Sequence, residues 1–233
     1  MTEEERSNRT GPTAELARLR RVEAAARDLL NRAQGRRSAT QMLEGMAALR
    51  AALDERPHGD IQVGAHTLMD QAFGHHVWAT TRLIDACLEL NPEQLETALP
   101  GTYGSILETM RHLVGSDAWY LFDITGDRDR MIETEGMDLT ALRAEIEADG
   151  ASWSRFLAED PAPGAVLKEV DETDGFEREA TIGIRLAQAL HHGTDHRSQI
   201  CTALTSLGIE PPGIDAWNFG LTDGSVAETY PTI

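Results

Sequence analysis

The stretch His191-His192-Gly193-Thr194-Asp195-His196-Arg197-Ser198-Gln199-Ile200 decides how this chain is read. On a helix, side chains four residues apart lie one above the other, with Cβ atoms about 5–6 Å apart. Two imidazoles at that spacing can share one first-row metal ion through nitrogen bonds of about 2.0–2.1 Å. Two such pairs overlap here, His191/Asp195 and His192/His196. At about 100° per residue, Leu186, Leu190, Gly193, Ile200 and Leu204 share one face, with Ala189 and Leu207 at its edge. His192 and His196 flank that edge, whereas His191 and Asp195 point away from it. The inner pair is therefore the candidate metal pair. Its competitor is a helix with a polar flank and two idle histidines, because His-x-x-x-His alone is a loose pattern.

Outward from this stretch the helix is expected to run from about Ile184 to Leu207, with Gly208 as its C-cap. Upstream, Val166–Val170 and Phe176–Ile182, separated by Asp174-Gly175, read either as a two-stranded hairpin or as a loop. A helix starting at Asp138 or Thr140 carries Leu139, Leu142, Ile146, Trp153, Phe156 and Leu157, and stops at Pro161-Ala162-Pro163-Gly164. Another opens at the capping box Ser105-Ile106-Leu107-Glu108 and ends near Ile124, before Gly126-Asp127. A first long helix is expected from Ile61 to about Leu90, followed by a short one that Asn91-Pro92-Glu93-Gln94 begins. Four long helices with little strand predict an all-α four-helix bundle. Ahead of it, two apolar helical patterns, Leu16–Ala33 and Met42–Leu53, predict an N-terminal helical extension. The tail with Pro211-Pro212 and Asp215-Ala216-Trp217 is expected to lie across the bundle.

Net charge is −18 over 233 residues. That excludes sequence-independent nucleic-acid binding, which needs a basic surface, and disfavours anionic membranes. The charge is uneven: residues 1–56 carry +2 and residues 57–233 carry −20, a break that places a boundary near Pro57-His58-Gly59. Cys87 and Cys201 sit inside apolar helical patterns and read as buried free thiols of a reducing compartment. No apolar run approaches the roughly 18–20 residues of a membrane span, so the expected location is cytoplasmic.

Five segments occur in an order and spacing that resembles the DinB-like proteins of the DinB/YfiT superfamily. They are Trp78-Ala79-Thr80-Thr81-Arg82-Leu83, the Asn91–Leu95 turn, Thr102-Tyr103-Gly104-Ser105, His112-Leu113-Val114-Gly115-Ser116-Asp117, and His192-x-x-x-His196-Arg197-x-Gln199. The resemblance covers about residues 61–220, leaving 1–60 as an extension and 221–233 as a tail. It implies a DinB-like four-helix bundle holding a divalent metal on three histidines, often as a homodimer. By position these are His112, His192 and His196. The name of the family suggests a stress response. Asp195 and Ser198 stand where members often have His and Gly, and His191 replaces a common Asn; none of these changes removes a ligand.

His112 is supported by the resemblance alone, because Ile106, Met110, Val114, Leu121 and Ile124 mark an apolar face well away from it. Its rival is His76, which lies on the apolar face of the first long helix as a satisfied core histidine, a pocket residue or an extra ligand. Asp117 falls inside an apolar face and must be paired or protonated there. Its two readings are a hydrogen bond to a ligand imidazole and a structural bond or arginine pair. His58, His66, His75 and His191 read as surface residues.

Three neutral imidazoles leave open positions on a metal, as catalytic sites do. Zn, Ni, Fe(II) and Mn all suit them. The resemblance implies a thiol S-transferase that activates a low-molecular-weight thiol, such as mycothiol or bacillithiol, for attack on an electrophile. The alternatives are a metal-dependent hydrolase acting through bound water and a non-enzymatic, stress-induced metal-binding bundle.

Overall fold

The computed structural model describes residues 67–170 and 175–228, with Arg20, Glu23, Ala24, Ala26, Arg27 and Met46 besides. The expected helical extension over residues 1–60, and His58 and His66 with their surroundings, fall outside the described residues or touch them at those few positions only. The described residues from 67 to 223 form one compact unit.

Helix α1 (Leu68–Cys87) starts at a capping box: Thr67 Oγ1 accepts the Asp70 N–H, and the Asp70 carboxylate accepts the Thr67 N–H. This start lies later than the expected Ile61, because an aspartate at the third helical position closes the box as well as the usual glutamate. Helix α2 (Pro92–Leu95) is a single turn capped by Asn91, with Pro92 at its first position. Helix α3 (Ile106–Thr125) has the Ser105/Glu108 box and ends at Gly126, whose φ of 73° is left-handed. A 3-10 turn (Arg128–Arg130) leads towards α4 (Leu139–Ala158), which Asp138 caps.

The hairpin forms, from β1 (Val166–Val170) and β2 (Glu177–Thr181), antiparallel with Val166 opposite Thr181. Thr181 then caps α5 (Ile182–Ser206), so the last long helix begins two residues before the expected Ile184. A short helix α6 (Ala216–Asp223) crosses α1. Its Phe219 ring packs over Gly74 and against Trp78, and His75 Nε2–H donates to Ile214 O at 2.8 Å. Any side chain at Gly74 would meet that ring.

The long helices pack as a ring, α1 on α4, α4 on α3, α3 on α5 and α5 on α1. Their apolar residues fall into two clusters. One joins Leu83 and Cys87 to Met110, Leu142, Ile146, Ile200 and Leu204; the other joins Phe73 to Leu121, Trp153, Leu186 and Ala189. Helices α1 and α5 enter the second cluster first, and α3 and α4 enter the first cluster first. The two pairs therefore run in opposite directions. Between the clusters lies a layer of buried polar side chains, His76, Thr80, Asp117, Asp149 and Arg197. No helix among the described residues is long and apolar enough to cross a membrane.

Candidate metal centre

On α5, His192 and His196 stand one turn apart with Nε2 atoms 3.1 Å from each other. Across the groove, α3 brings His112 Nε2 to 3.1 Å from His192 Nε2. These three nitrogens all lie within 4.8 Å of one another. His191 and Asp195 are exposed on the far side of α5, as the periodicity of the apolar residues required.

The protons of this cluster can be assigned. Gln199 Oε1 accepts the Tyr103 backbone N–H at 2.8 Å, which identifies it as the oxygen. It also lies 3.3 Å from His196 Nδ1, so that nitrogen carries the proton and donates it. The Nε2 of a neutral His196 is then a bare lone pair facing His192. One proton on His192 Nε2 cannot serve His112 and His196 equally well, and with no proton there a second contact sets lone pair against lone pair. A cation among the three nitrogens removes that conflict, so the donor set fits a metal ion. Burial, and then the two neighbouring rings, push the His192 pKa down to about 4; burial and His196 lower that of His112. Both imidazoles are therefore neutral near pH 7, the state a ligand needs.

Tyr103 closes one side. Its ring stacks on His112 at 3.9 Å with an interplanar angle of 8°, and stands edge-on to His196 at 5.6 Å. A cleft of about 410 Å³ opens on the other side of His112, between α3 and the 130–134 segment. His112, Gly115, Ser116 and Trp119 line it at helical spacing, a second stripe on α3 distinct from the apolar one.

His76 and Asp117 do not join the three histidines. His76 Nε2–H donates to Asp117 Oδ1 at 2.8 Å, and Trp153 Nε1–H donates to Asp117 Oδ2 at 3.0 Å. Arg197 Nη1 lies 3.2 Å from His76 Nδ1 and also donates to Thr80 Oγ1 at 3.0 Å. Burial pushes the Arg197 pKa down to about 10, and Asp117 counters it, so the guanidinium stays charged at neutral pH. The chain Arg197–His76–Asp117–Trp153 thus links a buried guanidinium to a buried carboxyl through an imidazole. It spans all four long helices. Of the alternatives the sequence left open, His76 is the satisfied core histidine, and Asp117 bonds His76 rather than any of the clustered imidazoles.

Gln199, Tyr103, Arg197 and Trp153 were not singled out as site residues from sequence. For Gln199 a signal existed, since three residues after His196 is a neighbouring position on the same helix face. Tyr103 sits in an aperiodic loop, so only its place in the Thr102–Ser105 segment of the resemblance pointed to it.

The fold and this histidine cluster define a helical bundle able to hold a metal ion in the groove between its second and last long helices. The DinB family model matches residues 64–223, and the chain belongs to the DinB family. It matches no curated protein.

Proposed function

We propose that the protein is a metal-dependent S-transferase that joins a low-molecular-weight thiol to an organic electrophile. The observation that carries this reading is the convergence of one ring nitrogen each of His112, His192 and His196 within 4.8 Å, with no fourth protein ligand in the cluster among the described residues. These three residues would hold the ion. When bound, a divalent ion (Zn, Ni, Fe or Mn) supplies Lewis acidity, which draws a thiol from its free pKa of about 8.5 towards the thiolate.

The chain's own residues do the rest. Gln199 keeps the His196 proton on Nδ1 and so presents Nε2 to the site. Tyr103 covers one flank of the cluster and leaves the Ser116–Trp119 side open to an incoming molecule. The thiol has to come from solution. Burial pushes the Cys87 thiol up to about 12 and raises that of Cys201; Cys87 is in the core, Cys201 is half-buried against it, and neither joins the histidine cluster. Mycothiol and bacillithiol are the candidates the resemblance implies. A cytoplasmic homodimer acting in a stress response belongs to the same proposal, and light scattering tests the dimer directly.

The test incubates metal-loaded protein with a panel of thiols and an alkylating electrophile. Conjugate formation above the His196→Ala background supports the transferase; its absence with every thiol ends it. Hydrolysis of esters or amides under the same conditions would assign the site to a hydrolase instead. A tightly held ion with neither activity would leave a binding bundle.

A further inference from the structure

Past the three histidines the groove between α3 and α5 continues. Because these helices run antiparallel, the positions that follow outward pair in rungs. After His112 come Ser116 and Tyr120 on α3; after His192 come Gln188 and Ile184 on α5. Gln188 Nε2 donates to the Tyr120 hydroxyl at 3.1 Å, and the Tyr120 ring stands edge-on to His192 with centroids 5.6 Å apart. With β2 these rungs bound a cleft of about 760 Å³. Each four-residue step is about 6 Å of helix axis. None of the three histidines lines this cleft, but it shares Ser116 and Trp119 with the smaller cleft that reaches His112, and its Tyr120 stands against His192. A molecule roughly 10–15 Å long laid across both therefore brings one end to the imidazoles.

The walls select a chemical class. Trp119 is 38% exposed and Ile184 is 60% exposed, so both offer apolar surface to a ligand. The two cations of the wall are already paired, Arg185 with Asp123 and Glu169, and Arg178 with Glu169. Glu179 adds a further carboxylate to the lining. An anionic ligand would lose its hydration there without gaining a free positive charge. Ser116, Tyr120 and Gln188 offer hydrogen bonds of a kind that uncharged groups can accept or donate.

We infer that this groove seats an uncharged, elongated, partly aromatic organic molecule, the electrophilic co-substrate of the transfer, with its reactive end at the three histidines. The word electrophile rests on the transferase reading; the binding and its charge preference rest on the groove alone.

The test uses the full chain after metal removal, with 4-nitrobiphenyl as an uncharged probe that quenches tryptophan fluorescence. Its 4′-carboxylate is the anionic comparison. The wild type should bind the uncharged probe saturably and at least about tenfold more tightly than the carboxylate. Ile184→Glu changes an exposed side chain and should weaken the uncharged probe about tenfold with little change in Tm. Gln188→Lys, also at an exposed position, installs a free cation and should bring the carboxylate to within about twofold of the uncharged probe. Equal binding of both probes by the wild type overturns the inference, as does unchanged binding of the uncharged probe by both variants. Because binding is read without metal, it separates from the transferase reading. Transfer that fails with intact, groove-dependent probe binding counts against the transferase only, and successful transfer with groove-independent binding counts against the groove only.

Discussion

The side-chain oxygen of Gln199 accepts two N–H groups, from the Tyr103 backbone and from His196 Nδ1, and so couples the loop over the site to a tautomer within it. Partners of this kind orient a ligand imidazole, and losing one typically costs about 10–100-fold in metal affinity. Gln199→Leu removes the acceptor while keeping most of the side chain's bulk. It should weaken metal binding by about that factor and leave the far-UV circular dichroism unchanged. Competition against a chromophoric chelator measures it, and unchanged affinity would show that Gln199 positions only the loop. Asp149 makes a different kind of residue-level case. It is fully buried, its Oδ2 has no hydrogen-bond partner, and its pKa is raised to about 7. Burial is the main cause and Asp117 on α3 the second, with Glu145 adding a little; Arg130, 3.0 Å away, opposes them. The folded state therefore holds this proton where the unfolded chain has released it, between about pH 4 and pH 7. Its stabilising effect is complete below the unfolded pKa and is lost as pH rises through the folded one. Asp149→Asn has no such proton to lose. Its Tm relative to wild type should rise by a few degrees from pH 4 to pH 8, and a flat difference would remove this account.

At the scale of elements, α5 touches both the polar layer and the histidine cluster, and Gly193 is what lets it lie so close to α1. A Cβ there would press into the His76 ring and come within 3.0 Å of Arg197 Nη1. Neither can move freely, because His76 is held by Asp117 and Arg197 by Thr80 and Thr194. Gly193→Ala gains helix propensity, worth about 1 kcal/mol at most. Overpacking at such a contact costs about 1–3 kcal/mol. The second effect wins because the nearest neighbour is a hydrogen-bonded imidazole ring, and the guanidinium beside it is held by hydrogen bonds of its own. A urea titration should show lower stability for the variant, in contrast to the usual gain at a mid-helix glycine. The sequence placed Gly193 on the apolar face but could not show what it faced, since His76 lies more than a hundred residues away in the chain. The same limit applies to His112. Its neighbours on α3, Ser116 and Trp119, form a mixed stripe with no hydrophobic period, so only the resemblance pointed there. His192 and His196 were readable because both lie on one helix beside a strong apolar stripe. Helix ends were readable where an Asn, Asp or Ser cap stood alone. They were misjudged at Thr67, where Ile61, Val63 and Ala65 continued the apolar residues upstream of the cap, and at Thr181, which Ala180 and Ile182 flank.

For the molecule as a whole, the histidine cluster joins α3 to α5, while the chain from Arg197 to Trp153 ties those two helices to α1 and α4. The four-helix architecture followed from periodicity alone, because each long helix buries a stripe that repeats at helical spacing. The polar layer did not, since whether a buried histidine or aspartate is satisfied depends on partners from other helices. An ion held by His112, His192 and His196 would bridge α3 and α5 in the native state and find no such site in the unfolded chain. Mass action then stabilises the fold by RT ln(1 + [L]/Kd), about 2.7 kcal/mol at a hundredfold excess over Kd. For a unit of this size, each kcal/mol is about 2–4 °C of Tm. Adding Zn, Ni, Fe(II) or Mn to chelator-treated protein should therefore raise Tm by roughly 5–10 °C for the ions that bind. His112→Ala should abolish the shift while keeping an unliganded Tm close to that of wild type, because the ring is only half-buried. His76→Asn should act in the opposite sense: it breaks the buried chain and lowers Tm at all metal concentrations, yet a metal-induced increment should persist. If His112→Ala kept the full increment, the ion would be binding elsewhere, and the bridge between α3 and α5 would be lost as the basis of the site.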